Sequence, residues 1–314
     1  MKSFLLKTVL FLFPAGLFIV FVEIQLRSMP NVYSIKKADL DKICGEIEIL
    51  CLGSSHTFYA INPVYFSKKG YNAAYISQTY DYDQKILEKY IERMPELQYV
   101  ILPVSYFSFF EKLSDNKDAG RRKFYSLTMQ VDQPDLLEDY MIFGADRQEL
   151  VPYWLGKIQP YQINEAGFGT AFSFDIRNKN IEKTGANRAK MYTISNLDLR
   201  QKEMKEILEN MIRLCESQNI KVVLLITPTH QSYRKNLNQY QLNLMYSLLD
   251  NVRQNHKNIM VYDAFSDPEY ITDDFFDADH LNDVGAKKFT EKLNQFLEKE
   301  GTNSYSRIFG SDDY

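Results

Sequence analysis

Cysteine is scarce in this chain: 314 residues contain three, at Cys44, Cys51 and Cys215. The odd number leaves at least one unpaired, and the positions form neither a C-x-x-C pair nor a zinc-ligand spacing. A disulfide scaffold and a zinc ribbon are therefore excluded, and the three thiols are expected to be small buried apolar groups. Surplus positive charge is also missing. Lys and Arg number 37 against 41 Asp and Glu, a formal net charge of -4 with a pI near 5.7. A nucleic-acid partner, which calls for a basic stripe, is argued against. Tryptophan occurs once, at Trp154, and histidine only four times, so a histidine base has few candidates. After the first thirty residues there is no second long hydrophobic run, no internal repeat and no low-complexity segment.

What is present begins with residues 4–22, apolar apart from Lys7 and Thr8. A bilayer-crossing helix needs roughly 17–25 apolar residues, so this run is just long enough. A cleaved signal peptide is the competing reading, but Val20-Phe21-Val22-Glu23-Ile24-Gln25 lacks the small-x-small cleavage pattern. We therefore expect residues 1–27 to be an uncleaved single-pass anchor. Lys2 and Lys7 favour a cytoplasmic amino terminus, which puts the remaining chain on the extracytoplasmic side. Residues 28–45 are polar and mixed, read as a linker or stalk, and residues 301–314 as a polar tail.

Between these lies a region, residues 46–300, in which short apolar strands alternate with helices. Strands are expected at residues 47–52, 71–76, 99–102, 221–226 and 259–262. Helices fall at residues 81–94, stopped by Pro95, around 204–215, at 237–252, and from the Asn282 cap to about 299. With 45% hydrophobic and 25% charged residues, this pattern predicts an α/β fold. Its core is a doubly wound, flavodoxin-like parallel sheet of about five strands. Regularity fails at residues 107–195, too long for one structureless loop. They are read as a large insertion after the third strand, with short helices of its own.

The chemistry-bearing residues sit at strand ends. Gly53-Ser54-Ser55 follows the first strand directly, where open α/β sheets carry their ligands. A serine hydroxyl is a weak nucleophile until a base takes its proton and a third group holds that base in the right tautomer. Late in the chain, Asp277-Ala278-Asp279-His280 offers both. Two intervening residues let one loop present Asp277 to one ring nitrogen of His280 while the other faces Ser55. Asp279, next to the histidine, is expected to diverge from it. His230, at another strand end, is the rival base but has no acid nearby in sequence. Asp81 and Asp83 are read as helix-start caps. The aromatics Tyr106, Phe107, Phe109 and Phe110 follow the third strand, and such faces suit sugar rings or acyl chains as well as a core.

Gly53-Ser54-Ser55, residues 72–78, residues 103–106 and Asp277-x-x-His280 fall in the order of four sequence blocks. In this the region resembles the SGNH (GDSL-like) hydrolases from about residue 47 to 298, the insertion excepted. The resemblance implies Ser55 as nucleophile, Asp277 as acid and His280 as base, with no cofactor and no metal. With the anchor, the chain is more similar to the membrane-anchored branch, which includes the D-alanyl-transfer accessory protein and exopolysaccharide O-acetylation proteins. That implies an acylated glycan or other ester as substrate and a membrane-bound O-acyltransferase as partner. Two positions depart from the pattern. The oxyanion glycine of the second block falls near Ser77 or Gln78, and the asparagine of the third block is Ser105. These three, with His56, are the oxyanion or substrate-binding candidates; for His56 a partly exposed structural histidine is the favoured reading and substrate gating or donation the other. The expected function is a serine esterase or O-acyltransferase. The alternative is a non-catalytic glycan-binding or assembly subunit retaining the fold.

Overall fold

Apolar strands of three to six residues build the larger part of the molecule, and helices connect them. The computed structural model describes residues 2–134, 140–142, 147–157, 161–177 and 180–300; the polar tail at 301–314 lies outside them. In chain order the elements are α1 (Lys2–Ser28), α2 (Val32–Ile43), β1 (Ile49–Cys51), α3 (Ser55–Phe58), β2 (Gly70–Asn72), α4 (Tyr80–Tyr90) and β3 (Tyr99–Pro103). There follow α5 (Arg122–Leu127), α6 (Arg147–Trp154), α7 (Ile181–Met191), α8 (Asp198–Ser217), β4 (Lys221–Ile226), α9 (Gln231–Arg234), α10 (Gln239–Asn255), β5 (Ile259–Asp263) and α11 (Asp283–Glu300).

The chain divides into two units. One comprises Met1–Ala38 and Lys117–Tyr161; the other comprises Asp39–Asn116 and Gln162–Tyr314. In the second unit all five strands run parallel in the order β2-β1-β3-β4-β5. Leu50 pairs with Val100, which pairs with Val222, and that residue with Ile259. The central strands are apolar at nearly every position because both faces are covered. Each Val, Ile or Leu so buried contributes about 1.5–3 kcal/mol. Local signals set the helix ends. Asn238 accepts from the Gln241 N–H at the start of α10, and Asn282 from the Gly285 N–H at the start of α11. The fold is the expected doubly wound sheet. β1 has neighbours on both sides, reached by connections running in opposite directions. The crevice outside the carboxyl ends of β1 and β3 is thus the switch point at which such sheets bind ligands.

In the first unit, α1 spans 27 residues, about 40 Å at 1.5 Å per residue. Its apolar side chains are exposed over most of its length. It is long and apolar enough to cross a membrane, a test that a signal sequence also passes. Near its carboxyl end, Glu23 accepts from Arg27 Nε (2.8 Å) and the Ile142 N–H (2.9 Å), and Trp154 Nε1 donates to Gln25 Oε1 (3.2 Å). Two readings change in detail. Within the expected stalk, residues 32–43 form a helix with Tyr33, Lys36 and Leu40 buried. The 107–195 segment is not one body: residues 117–161 group with α1, and residues 162–195 with the sheet.

Candidate active site

The turn after β1 is shaped by one glycine. Gly53 has φ +117°, and a Cβ there would lie 2.2 Å from Pro103 Cγ, so only glycine lets the turn approach β3. Its N–H donates to Asp83 Oδ1 (2.8 Å), and its carbonyl accepts from the Tyr75 N–H (3.0 Å). Ser54 caps the single turn α3, accepting from the His56 N–H. Ser55 is the first residue of that turn, with its hydroxyl 2.9 Å from His280 Nε2. The Ser55 N–H meets no acceptor among the described residues.

His280 comes from the loop after β5, two strands beyond β3 in the sheet. Backbone bonds carry that loop back across the end of β4. The Thr229 N–H donates to the Phe265 carbonyl (3.3 Å), and the His230 N–H to the Ala278 carbonyl (3.0 Å). His280 Nδ1 lies 2.9 Å from Asp277 Oδ1 and 3.1 Å from Oδ2. Asp277 Oδ1 also accepts from the backbone N–H of Asp279 and His280, which fixes the carboxylate. An ionised Asp277 only accepts, so Nδ1 carries the ring proton and Nε2 is left to accept from Ser55. Burial depresses the basicity of His280, but the Asp277 and Asp279 charges outweigh it and the net shift is upward.

A second histidine lies against the first, with ring centroids 5.0 Å apart and nearly perpendicular. His56 is buried rather than partly exposed. Its Nδ1 is 3.0 Å from Ser105 Oγ and its Nε2 3.1 Å from Asp279 Oδ2. Asp279, expected to diverge from His280, keeps Oδ1 3.7 Å from its Nδ1. Arg188 grips it as a fork, Nε to Oδ1 at 2.5 Å and Nη2 to Oδ2 at 2.7 Å. Burial would favour the neutral acid, but the His280 charge and the bonds from His56 and Arg188 hold this carboxyl below its ordinary range. Burial, with the charges of His280 and Arg188, pushes His56 down against the pull of Asp279. Arg188 also donates to the Tyr192 hydroxyl (3.2 Å), whose ring stacks on Phe107 (4.4 Å). Neither Arg188 nor Tyr192 was identifiable from sequence, since both sit in the stretch where periodicity fails. α7 reaches the site because Gly185 packs on α9: a Cβ there would be 2.3 Å from the Ser232 carbonyl oxygen.

His56, Asp279 and His280 offer ligand atoms within 4.8 Å of one another. Their chemistry does not suit a cation. Arg188 occupies both Asp279 oxygens and Asp277 holds His280 Nδ1, so a metal would have to displace a guanidinium.

The remaining candidates separate. Ser77, with Gln78 one of the two places expected for the oxyanion glycine, holds φ +60°, a left-handed conformation that favours glycine. Gln78 turns its amide away: Nε2 donates to Asp83 Oδ1 (2.7 Å), and its N–H to the Tyr75 carbonyl (3.1 Å). Asp83 is not a helix cap. It is buried and ties Gln78 to the Gly53 turn, and burial raises its carboxyl to about 7 against the two bonds it accepts. His230 sits apart from Ser55, capping α9 through Nδ1 and meeting Thr272 Oγ1 through Nε2 (3.1 Å). Beside His280, Tyr59, Phe172 and Phe276 form a stack with successive centroids 3.7 and 3.9 Å apart.

No family model and no curated protein matches this sequence. Among solved structures the chain is similar to one from Streptococcus pneumonia that is provisionally described as a platelet activating factor. The two share 11% identity over 92% of this chain and 99% of that chain, with a TM-score of 0.43.

Proposed function

We propose that this protein is a membrane-anchored serine esterase or O-acyltransferase that acts on acyl groups of cell-envelope or exported polysaccharide. The observation that carries this reading is the hydrogen-bonded line Ser55–His280–Asp277 at the switch point of the sheet. Ser55 Oγ attacks the ester carbonyl while its proton passes to His280 Nε2. The new Oγ–C bond forms, and the carbonyl oxygen becomes an oxyanion for which the Ser55 N–H is an unspent donor. The imidazolium then protonates the departing alkoxide, leaving an acyl-serine. A second hydroxyl, from water or a sugar, gives its proton to His280 as it attacks that carbonyl; the acyl C–Oγ bond then breaks and His280 Nε2 returns the proton to Ser55 Oγ.

The anchoring part of the reading is supported by α1. The aromatic stack of Tyr59, Phe172 and Phe276 beside His280 is a platform of the kind that suits a sugar ring. The test is turnover of acetylated polysaccharide and of a small acyl ester by the full chain. Ser55→Ala is expected to lower turnover by at least about 10⁴-fold. Equal turnover by the variant would overturn the proposal.

A further inference from the structure

Two carboxylates attend His280, and the mechanism above uses one. Asp279 Oδ1 lies 3.7 Å from His280 Nδ1, and the Asp279 side chain is wholly buried. It is ionised, since both oxygens accept from the Arg188 fork. An ionised carboxylate has no proton to give, so His56 must donate to it from Nε2. The neutral ring then has a bare Nδ1, and the Ser105 hydroxyl donates to it. Each proton in the run Ser105–His56–Asp279–Arg188 is thereby assigned.

We propose that Arg188 and Asp279 are positioning residues for the active-site base. Asp279 is a second counter-charge for His280, and it locks His56 in the Nε2–H tautomer, whose bare Nδ1 accepts a hydrogen bond from the Ser105 hydroxyl. This rests on the esterase reading and extends it. The charged groups facing His280 are Asp277 and Asp279 from its own loop and Arg188 from α7; His56, Tyr59 and Phe172 bring neutral rings. With His280 neutral, this cluster carries one net negative charge. Once the ring takes the Ser55 proton the cluster is balanced. The surroundings thus favour the charge that develops during attack. Without Asp279, the imidazolium and Arg188 together would exceed Asp277 by one positive charge.

Two consequences follow for Ser105. Its only proton is spent on His56, so it does not donate to the oxyanion. Ser105–His56–Asp279 also has the composition of a second nucleophile set. Arg188 neutralises its acid, however, and burial beside a histidine that becomes cationic keeps His56 from accepting a proton.

Nitrogen NMR of imidazole-labelled full chain in detergent tests this on four histidines. The wild type is expected to show His56 as the neutral Nε2–H tautomer across the pH range in which His280 titrates. Asp279→Asn is expected to move the His280 midpoint down by about one pH unit or more. Arg188→Lys, which keeps the charge but loses the fork, is expected to stay nearer the wild type. A proton on His56 Nδ1, or a His280 midpoint unmoved in Asp279→Asn, overturns the inference. The wild-type tautomer needs no variant to fold. Fluorophosphonate labelling separates the two proposals: labelling undiminished in Ser55→Ala would sink the esterase reading whatever the NMR shows. An adduct transferred to Ser105 in that variant would overturn the claim that the second set is inactive.

Discussion

Arg188 and Asp279 form a pair whose value depends on neither being left alone. The Asp279 side chain is 0% exposed and that of Arg188 21%, so removing the guanidinium strands a buried charge. Arg188→Ala is expected to cost about 3–5 kcal/mol of stability, measured by urea unfolding of the full chain in detergent. In the proposed reaction His280 sets the pH dependence of turnover. Its basicity is raised above the ordinary histidine value of 6.5, and it must be neutral to accept the Ser55 proton. The rate is therefore expected to fall as pH drops, with a midpoint above 6.5; a midpoint well below that value would contradict the counter-charge arrangement. Asp83 acts on stability in its own window. Its folded carboxyl sits at about 7, raised from an ordinary 3.8, so the folded state holds the proton more tightly than the unfolded chain. Its contribution is fully present below about 4 and is lost as pH rises through about 7. In Asp83→Asn that part of the slope of unfolding free energy against pH is expected to vanish.

Among the elements, the turn between β1 and α3 has least room for change. Gly53→Ala would bring a methyl group against Pro103 in a backbone conformation that disfavours it. We expect a loss of about 1–3 kcal/mol together with loss of turnover, read by thermal unfolding and an ester assay. This turn was legible in the sequence because its signals are local: an apolar run that breaks at Gly-Ser-Ser, and an aspartate three places before a histidine. The five strands were legible for the same reason, though β2 closes at Asn72 rather than continuing to residue 76. What the sequence hid depends on long-range packing. Nothing in the neighbourhood of Asp279 announces a guanidinium 91 positions away. α7 carries a glycine in its interior, a poor helix signal whose reason, the approach to Ser232, exists only in three dimensions. Asp83 looked like a helix cap because it stands in the first turn of α4, but its carboxylate is used by Gly53 and Gln78 instead.

For the molecule as a whole, a helix exposed along its apolar length accounts best for the chemistry of the first thirty residues. The one tryptophan reports on it. Trp154 is 48% exposed, lies 6.2 Å from the Phe21 ring and donates to Gln25. Membrane interfaces favour tryptophan at headgroup depth. In nanodiscs of the full chain, its fluorescence is expected to be quenched more by lipids brominated near the headgroup than by those brominated deep in the tails. No quenching by either would count against the anchor. The proposed acyl transfer requires one covalent bond, at Ser55 Oγ. Treating the full chain with a fluorophosphonate, digesting it and locating the adduct by mass spectrometry reads that bond directly. The adduct is expected on Ser55, formed in the wild type and strongly reduced in His280→Asn. An unlabelled chain, or an adduct on any other residue, would contradict it.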